Sequence, residues 1–325
     1  MRSRQTVLRP VLAAVLGSFV LLALPPAAAA PTVGQAFPTG FRVPLDHSLG
    51  TPVLGFGASG RVHRTPVIFL HGNNDTVYPT TCNGSYGAMQ AMAQSFVVAG
   101  WSPSELWGLS YQGDQCDLVT DETRRAAVAH STVANVPDLR AFVKEVLRFT
   151  HAKQVDIIGH SLGATLAREW MRQDRAYRLV RRVVSIDGPH HGIINCSPSA
   201  QNYYGPSLGF TPDSPVCLEY GAADTPFLRR LNAGDETPGP TQWLALVNAD
   251  TSFVYISARD GVLPAVPAED RLGRAHDFSR SAHLVGARVV KLTGQGVHDT
   301  TLLASHTGIV ASPDAWAVAR EFLAP

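Results

Sequence analysis

Residues 154–170 constrain this chain more than any other stretch. Gln154-Val155-Asp156-Ile157-Ile158 is short, apolar and β-branched, which predicts a buried strand. Ala164-Thr165-Leu166-Ala167-Arg168-Glu169-Trp170 has no breaker and is rich in helix formers, which predicts a helix. Gly159-His160-Ser161-Leu162-Gly163 lies between them. A strand that becomes a helix within five residues must turn sharply. Ser161 is therefore expected in a strained backbone conformation, with its hydroxyl bare at the sheet edge. The residues two before and two after it are pressed together, and glycine at both positions leaves the room. The Leu162 N–H, in the first turn of the helix, would point at an anion forming beside Ser161. A plain strand–glycine–helix junction with an incidental serine is the bland alternative; the flanking pattern favours a nucleophile.

The chain has 325 residues, 45% of them hydrophobic, enough for one sizeable core. Its first thirty residues stand apart. Arg2, Arg4 and Arg9 precede an apolar run over residues 11–24, then Pro25-Pro26 and four alanines. Basic, apolar and small segments in that order read as a secretory signal peptide. The run is short for a membrane span of ~20 residues. The expectation is a cleaved signal over 1–30 and a secreted mature chain of 31–325 with no stable membrane anchor. The formal net charge is +1; the first thirty residues hold three Arg and no acid, so the remainder carries −2. That balance gives no electrostatic basis for nucleic-acid binding. Cys82, Cys116, Cys196 and Cys217 are an even set in an exported chain, which suggests two disulfides. Three pairings exist. Cys82–Cys116 with Cys196–Cys217 is favoured, because each would staple one loop region. No Cys-x-x-Cys occurs to support zinc instead.

Residues 31–64 are rich in Pro, Gly and Ser and predict an extended lead-in with an edge strand. Residues 65–70 predict a strand, 85–99 a helix with Met89, Met92, Ala93 and Phe96 on one face, and 106–109 a strand. Residues 110–131 are polar and read as loop. Asn135-Val136-Pro137-Asp138 marks a helix start, and residues 179–186 another strand. Residues 193–245 break the rhythm with Pro, Gly, two Cys and aromatic residues, where a lid or cap is expected. Inside it, 225–231 reads as a short helix and 234–239 as a turn. Strands follow at 253–256 and 288–292, and an amphipathic helix at 316–323. Strands alternating with helices predict a single α/β domain, its mostly parallel sheet covered on both faces.

A serine hydroxyl needs a histidine to take its proton and a carboxylate to orient that histidine. The strand–turn–helix serine resembles the nucleophile elbow of the α/β-hydrolases, and that resemblance implies an acid after the serine and a histidine after the acid. Asp260, beyond the 253–256 strand, is the leading acid and Asp187, which ends the 179–186 strand, is the alternate. His306, on a loop ahead of the last helix, is the leading base and His298 the alternate. His130 and His151 precede either acid and are set aside; His190 and His191 are candidates to line the cleft. His71-Gly72-Asn73 ends the first strong strand, so the Asn73 N–H is the second oxyanion donor beside Leu162.

The run from Pro66 to Asn73, the glycine-flanked serine, the run from His306 to Pro313 and the run from Phe227 to Gly239 resemble the secreted bacterial triacylglycerol lipases and esterases of the class 2 type. The His-Gly-Asn, Asn202-Tyr203-Tyr204 and serine segments are also similar to extracellular poly(3-hydroxybutyrate) depolymerases. The resemblance implies the α/β-hydrolase fold, a triad of Ser161, Asp260 and His306, and oxyanion donors on Asn73 and Leu162. It implies no metal and no organic cofactor; no clustered carboxylate loop suited to calcium is present. The expected function is hydrolysis of lipid or other carboxylic esters through an acyl-enzyme on Ser161. A polyester depolymerase, an acyltransferase using the same intermediate and a non-catalytic binding module are the rival expectations.

Overall fold

A computed structural model describes residues 31–47, 49–82, 87–114, 116, 130–193, 213–221, 224–248, 281–292 and 304–325. In chain order these form β1 (Leu54–Phe56), β2 (Val67–Leu70), α1 (Ala88–Val98), β3 (Leu106–Ser110), α2 (Thr132–Thr150), β4 (Val155–His160), α3 (Leu162–Asp174), β5 (Val180–Ile186), α4 (Pro215–Tyr220), α5 (Pro226–Leu231), β6 (Gln242–Asn248), β7 (Arg288–Leu292), α6 (Ala304–Ala311) and α7 (Pro313–Leu323). The described strands make one sheet in the order β1-β3-β2-β4-β5-β6-β7. β1 runs antiparallel to β3 at the edge, as the lead-in predicts, and every other pairing is parallel.

The apolar strands read as continuous runs because both faces of the sheet are covered. Neighbouring residues along one strand enter opposite cores. Ile68, Leu70, Ile157 and Val183 pack with Leu139, Phe142 and Val146 of α2 and Leu166 and Trp170 of α3. Val67, Phe69, Ile158 and Val184 pack with Met89, Met92 and Phe96 of α1 and Ala315, Ala319 and Leu323 of α7. The face predicted for α1 is the one buried. No helix among the described residues is long and apolar enough to cross a membrane.

Three boundaries differ from the sequence reading. α2 begins at Thr132, ahead of the expected start, because Ser131 caps it by accepting from the Ala134 N–H at 3.2 Å. Pro137 then sits inside the helix. Its missing donor would have served the carbonyl of Val133, an exposed residue in the first turn of α2. His306 lies within α6 and not on a loop. Thr307-Gly308 looks like a break, but Ile309 and Val310 are buried in the second core and hold the helix there. β6 occupies residues assigned to the lid, so Gln242 to Ala245 are central sheet. A strand buried on both faces shows no alternation, and that concealed it. The strand expected at 253–256 lies outside the described residues.

Candidate active site

β4 ends at His160 and α3 begins at Leu162, so Ser161 alone makes the turn. Its φ of 51° and ψ of −123° are in the region that normally requires glycine. Strain of this kind costs about 1–3 kcal/mol and persists only where the surroundings impose it. They do: the Ser161 N–H donates to the Ile186 carbonyl at 2.9 Å. A Cβ on Gly159 would lie 2.6 Å from the Ala164 nitrogen, and one on Gly163 2.5 Å from the His71 carbonyl oxygen. The glycine flanks therefore do what the sequence requires. They also press the start of α3 against the loop that follows β2.

β2 and β5 flank β4 in parallel, so residues 71–75 and 187–192 emerge beside Ser161 at the same sheet edge. A Cβ on Gly72 would come within 3.1 Å of the Ser161 Cβ and 2.9 Å of His160 Nδ1. The chain beyond β3 fixes this first loop. Tyr111 Oη donates to the His71 carbonyl at 2.6 Å. Gln112 takes the Asn74 N–H on Oε1 at 3.0 Å and donates from Nε2 to Asn73 Oδ1 at 3.2 Å. His130, buried, donates from Nδ1 to the same Asn73 oxygen. Asn74 adopts φ 60° within this grip. Leu162 supplies one of the backbone N–H groups that the first turn of a helix leaves without an internal partner.

The second loop carries Asp187, fully buried at φ 46°. Its N–H donates to the Leu246 carbonyl at 2.9 Å, and its Oδ1 accepts from the Asn248 N–H at 2.9 Å. Its Oδ2 lies 3.3 Å from Nδ1 of His306. The His306 carbonyl accepts from His160 Nε2 at 2.9 Å, and the two rings are 4.6 Å apart. A carbonyl can only accept, so His160 carries its proton on Nε2. Burial pushes the Asp187 carboxyl up to about 7, and lowers both His306 and His160 to about 3. Burial thus raises the cost of charge on either partner. The 3.3 Å contact agrees, being longer than the ~2.7–2.9 Å of a charge-assisted bond.

Ser161, Leu162, Asn73, His306 and Asp187 thus belong to one edge of the sheet. Asp187, the alternate acid of the sequence reading, is the carboxylate beside His306. Asp260 and His298 lie outside the described residues. His130 had been set aside and is at the site. His190 is fully buried under its loop and does not line a cleft. Gln112 and His160 carry no motif of their own. Their signal is position: one just past a strand end, the other the unspecified residue before the serine. Cys82 and Cys116 form a disulfide joining the chain beyond β2 to that beyond β3. Cys217 is disulfide-bonded as well, and Cys196 lies outside the described residues. Among the described residues no group of three His, Cys, Asp or Glu side chains is placed to hold a metal ion.

A sequence model of the class 2 lipases matches residues 64–260, more than half of the chain. The chain belongs to the class 2 lipase family. No curated protein sequence matches it. Solved structures similar to this class 2 lipase include lipase BlEst2 of Bacillus licheniformis in its mature form, 14% identical with a TM-score of 0.49 over 83% of this chain and 97% of that one. The esterase of Pyrobaculum calidifontis is 14% identical with a TM-score of 0.48, covering 87% and 83%. Lipase B of Aspergillus fumigatus is 14% identical with a TM-score of 0.48, covering 81% of this chain. The class 2 lipase described here spans about half the length of that Aspergillus chain, 53%.

Proposed function

We propose that this class 2 lipase hydrolyses carboxylic esters through an acyl-enzyme on Ser161, with His306 as general base and Asp187 as the carboxylate that orients it. The observation that carries the reading is the strained Ser161 turn, at the same sheet edge as the His306–Asp187 contact. His306 Nε2 takes the hydroxyl proton as Ser161 Oγ attacks the ester carbonyl. The N–H groups of Leu162 and Asn73 stabilise the oxyanion; each such donor is worth about 3–4 kcal/mol in the transition state. His306 returns the proton to the leaving alcohol. It then activates water, which releases the acid and restores the serine. Asp187 holds the imidazole with Nδ1–H inward, leaving Nε2 to face the serine. The reading includes export, supported by the basic, apolar and small-residue order of the first thirty residues and by the Cys82–Cys116 disulfide.

Ser161→Ala tests it. With a p-nitrophenyl ester the purified variant is expected to lose about 10⁴-fold or more in kcat. Undiminished turnover would refute the acyl-enzyme.

A further inference from the structure

The segment 227–239 resembles the family without any part in the chemistry above. Its contacts point to what it does. Arg168 sits on α3, two turns beyond Ser161, and is 3% exposed. Its guanidinium hydrogen bonds go to neutral acceptors: His190 Nδ1 at 3.2 Å, Asn232 Oδ1 at 3.0 Å and the carbonyls of Leu231 and Glu236 at 3.3 and 3.0 Å. A buried cation is costly unless such bonds satisfy it. Arginine only donates, so His190 Nδ1 must accept and its proton sits on Nε2. That proton faces Ser185 Oγ at 2.8 Å. The ring folds back this way because residue 188 is glycine: a Cβ there would lie 2.5 Å from His190 Nε2.

Asn232 completes the link. Its Oδ1 accepts from Arg168, and its Nδ2 donates to the His190 carbonyl at 2.7 Å. Glu236 grips the next residue, with Oε1 2.9 Å from His191 Nε2 and Oε2 accepting the Val285 N–H at 2.9 Å. The loop that begins at Asp187 is thus tied to Arg168, and Arg168 shares a helix with the turn at Ser161. Asp187 holds an unfavourable φ at the root of this loop, and release of the loop would let it relax.

We propose that Arg168, Asn232 and Glu236 clamp residues 188–192 to the helix that follows Ser161, and that Asn232 is thereby a positioning residue for Asp187 against His306. This rests on the reading of Asp187 as the orienting carboxylate. Asn232 touches no reacting atom; it acts through the loop.

The test is Asn232→Ala, purified and shown by circular dichroism and cooperative melting to be folded, assayed with a p-nitrophenyl ester across pH. The clamp predicts a kcat about tenfold to a hundredfold lower with KM nearly unchanged, the scale of an ångström's misplacement. It also predicts that the acid limb of kcat/KM moves toward neutral pH, by about half a unit or more, as His306 gains water. Asp187 and His160 are titratable groups that face that ring. Wild-type kcat with a wild-type profile would overturn the clamp, as would a lowered kcat with an unmoved acid limb. Should Asn232→Ala fail to fold, Glu236→Gln decides on the same two readouts. Asp187→Asn runs beside them. If it is inactive while the clamp variants behave as wild type, the clamp fails and the acid stands. If it stays active, the acid reading fails and takes the clamp with it.

Discussion

The loops after β2 and β5 are built from the same parts and put them to opposite uses. Each has a non-glycine residue forced into positive φ, Asn74 at 60° and Asp187 at 46°. Each holds a buried carboxyl that burial pushes up to about 7, Asp75 in the first and Asp187 in the second. Asp75 turns its Oδ1 to backbone, accepting the N–H groups of Thr76 at 2.7 Å and Gly87 at 3.2 Å. Asp187 turns one oxygen to backbone and the other to His306. On the proposed mechanism the first loop offers a backbone donor, and Tyr111, Gln112 and His130 from beyond β3 hold it. The second offers a carboxyl in a dry place, and Arg168, Asn232 and Glu236 hold the residues that follow it. On that mechanism the same electrostatic cost serves architecture in one loop and chemistry in the other.

Neutralising each carboxyl in turn separates the two uses. Asp187→Asn is expected to lower kcat about 10⁴-fold, since the amide presents the wrong partner to the imidazole. Asp260→Asn, assayed in parallel, is expected to keep most of the activity; the reverse pattern would move the acid to Asp260. Gln112→Ala strikes the first loop. Losing both of its bonds to Asn73 and Asn74 is expected to lower kcat about tenfold to a hundredfold with little change in KM, because the oxyanion donor shifts.

The smallest kinetic effect is expected at Asp75. Asn can accept the same two N–H bonds on Oδ1, so Asp75→Asn should leave kcat unchanged. Its mark is on stability. A carboxyl whose folded pKa is near 7, against 3.8 unfolded, contributes stability fully present below about 4 and lost as pH rises through 7. Thermal melts at pH 8 should therefore show Asp75→Asn and Asp187→Asn above the parent by several degrees, with the gap closing near pH 4. A lower Tm at pH 8 for either would mean that its ionised form is stabilised where it sits. The parallel gain with divergent activity would be the clearest sign that only one loop spends its carboxyl on the reaction.

Much of this was legible in the chain because a doubly covered parallel sheet writes itself as apolar runs. The runs read at 65–70, 106–109, 154–158 and 179–186 are strands at Val67–Leu70, Leu106–Ser110, Val155–His160 and Val180–Ile186. The serine turn was legible because sterics leave few residues that fit it. β6 was missed for the same reason that the others were found: Trp243 to Val247 is apolar without alternation, and the preceding Pro and Gly made it look like lid. His306 was read on a loop; its helix was hidden by Gly308, whose cost is met by the burial of Ile309 and Val310. The grips of Gln112, His130 and Asn232 were not legible at all. Each acts across 30 or more residues of chain, and nothing in local composition marks a side chain for a distant carbonyl or amide.

The most direct measurement is covalent labelling with a fluorophosphonate, read by peptide mass spectrometry on the parent, His306→Ala and Asp75→Asn. Ser161 should carry the label in the parent and in Asp75→Asn, and labelling should fall away when His306 is removed. A label on any other residue, or on Ser161 at the parent rate without His306, would contradict a serine served by that histidine.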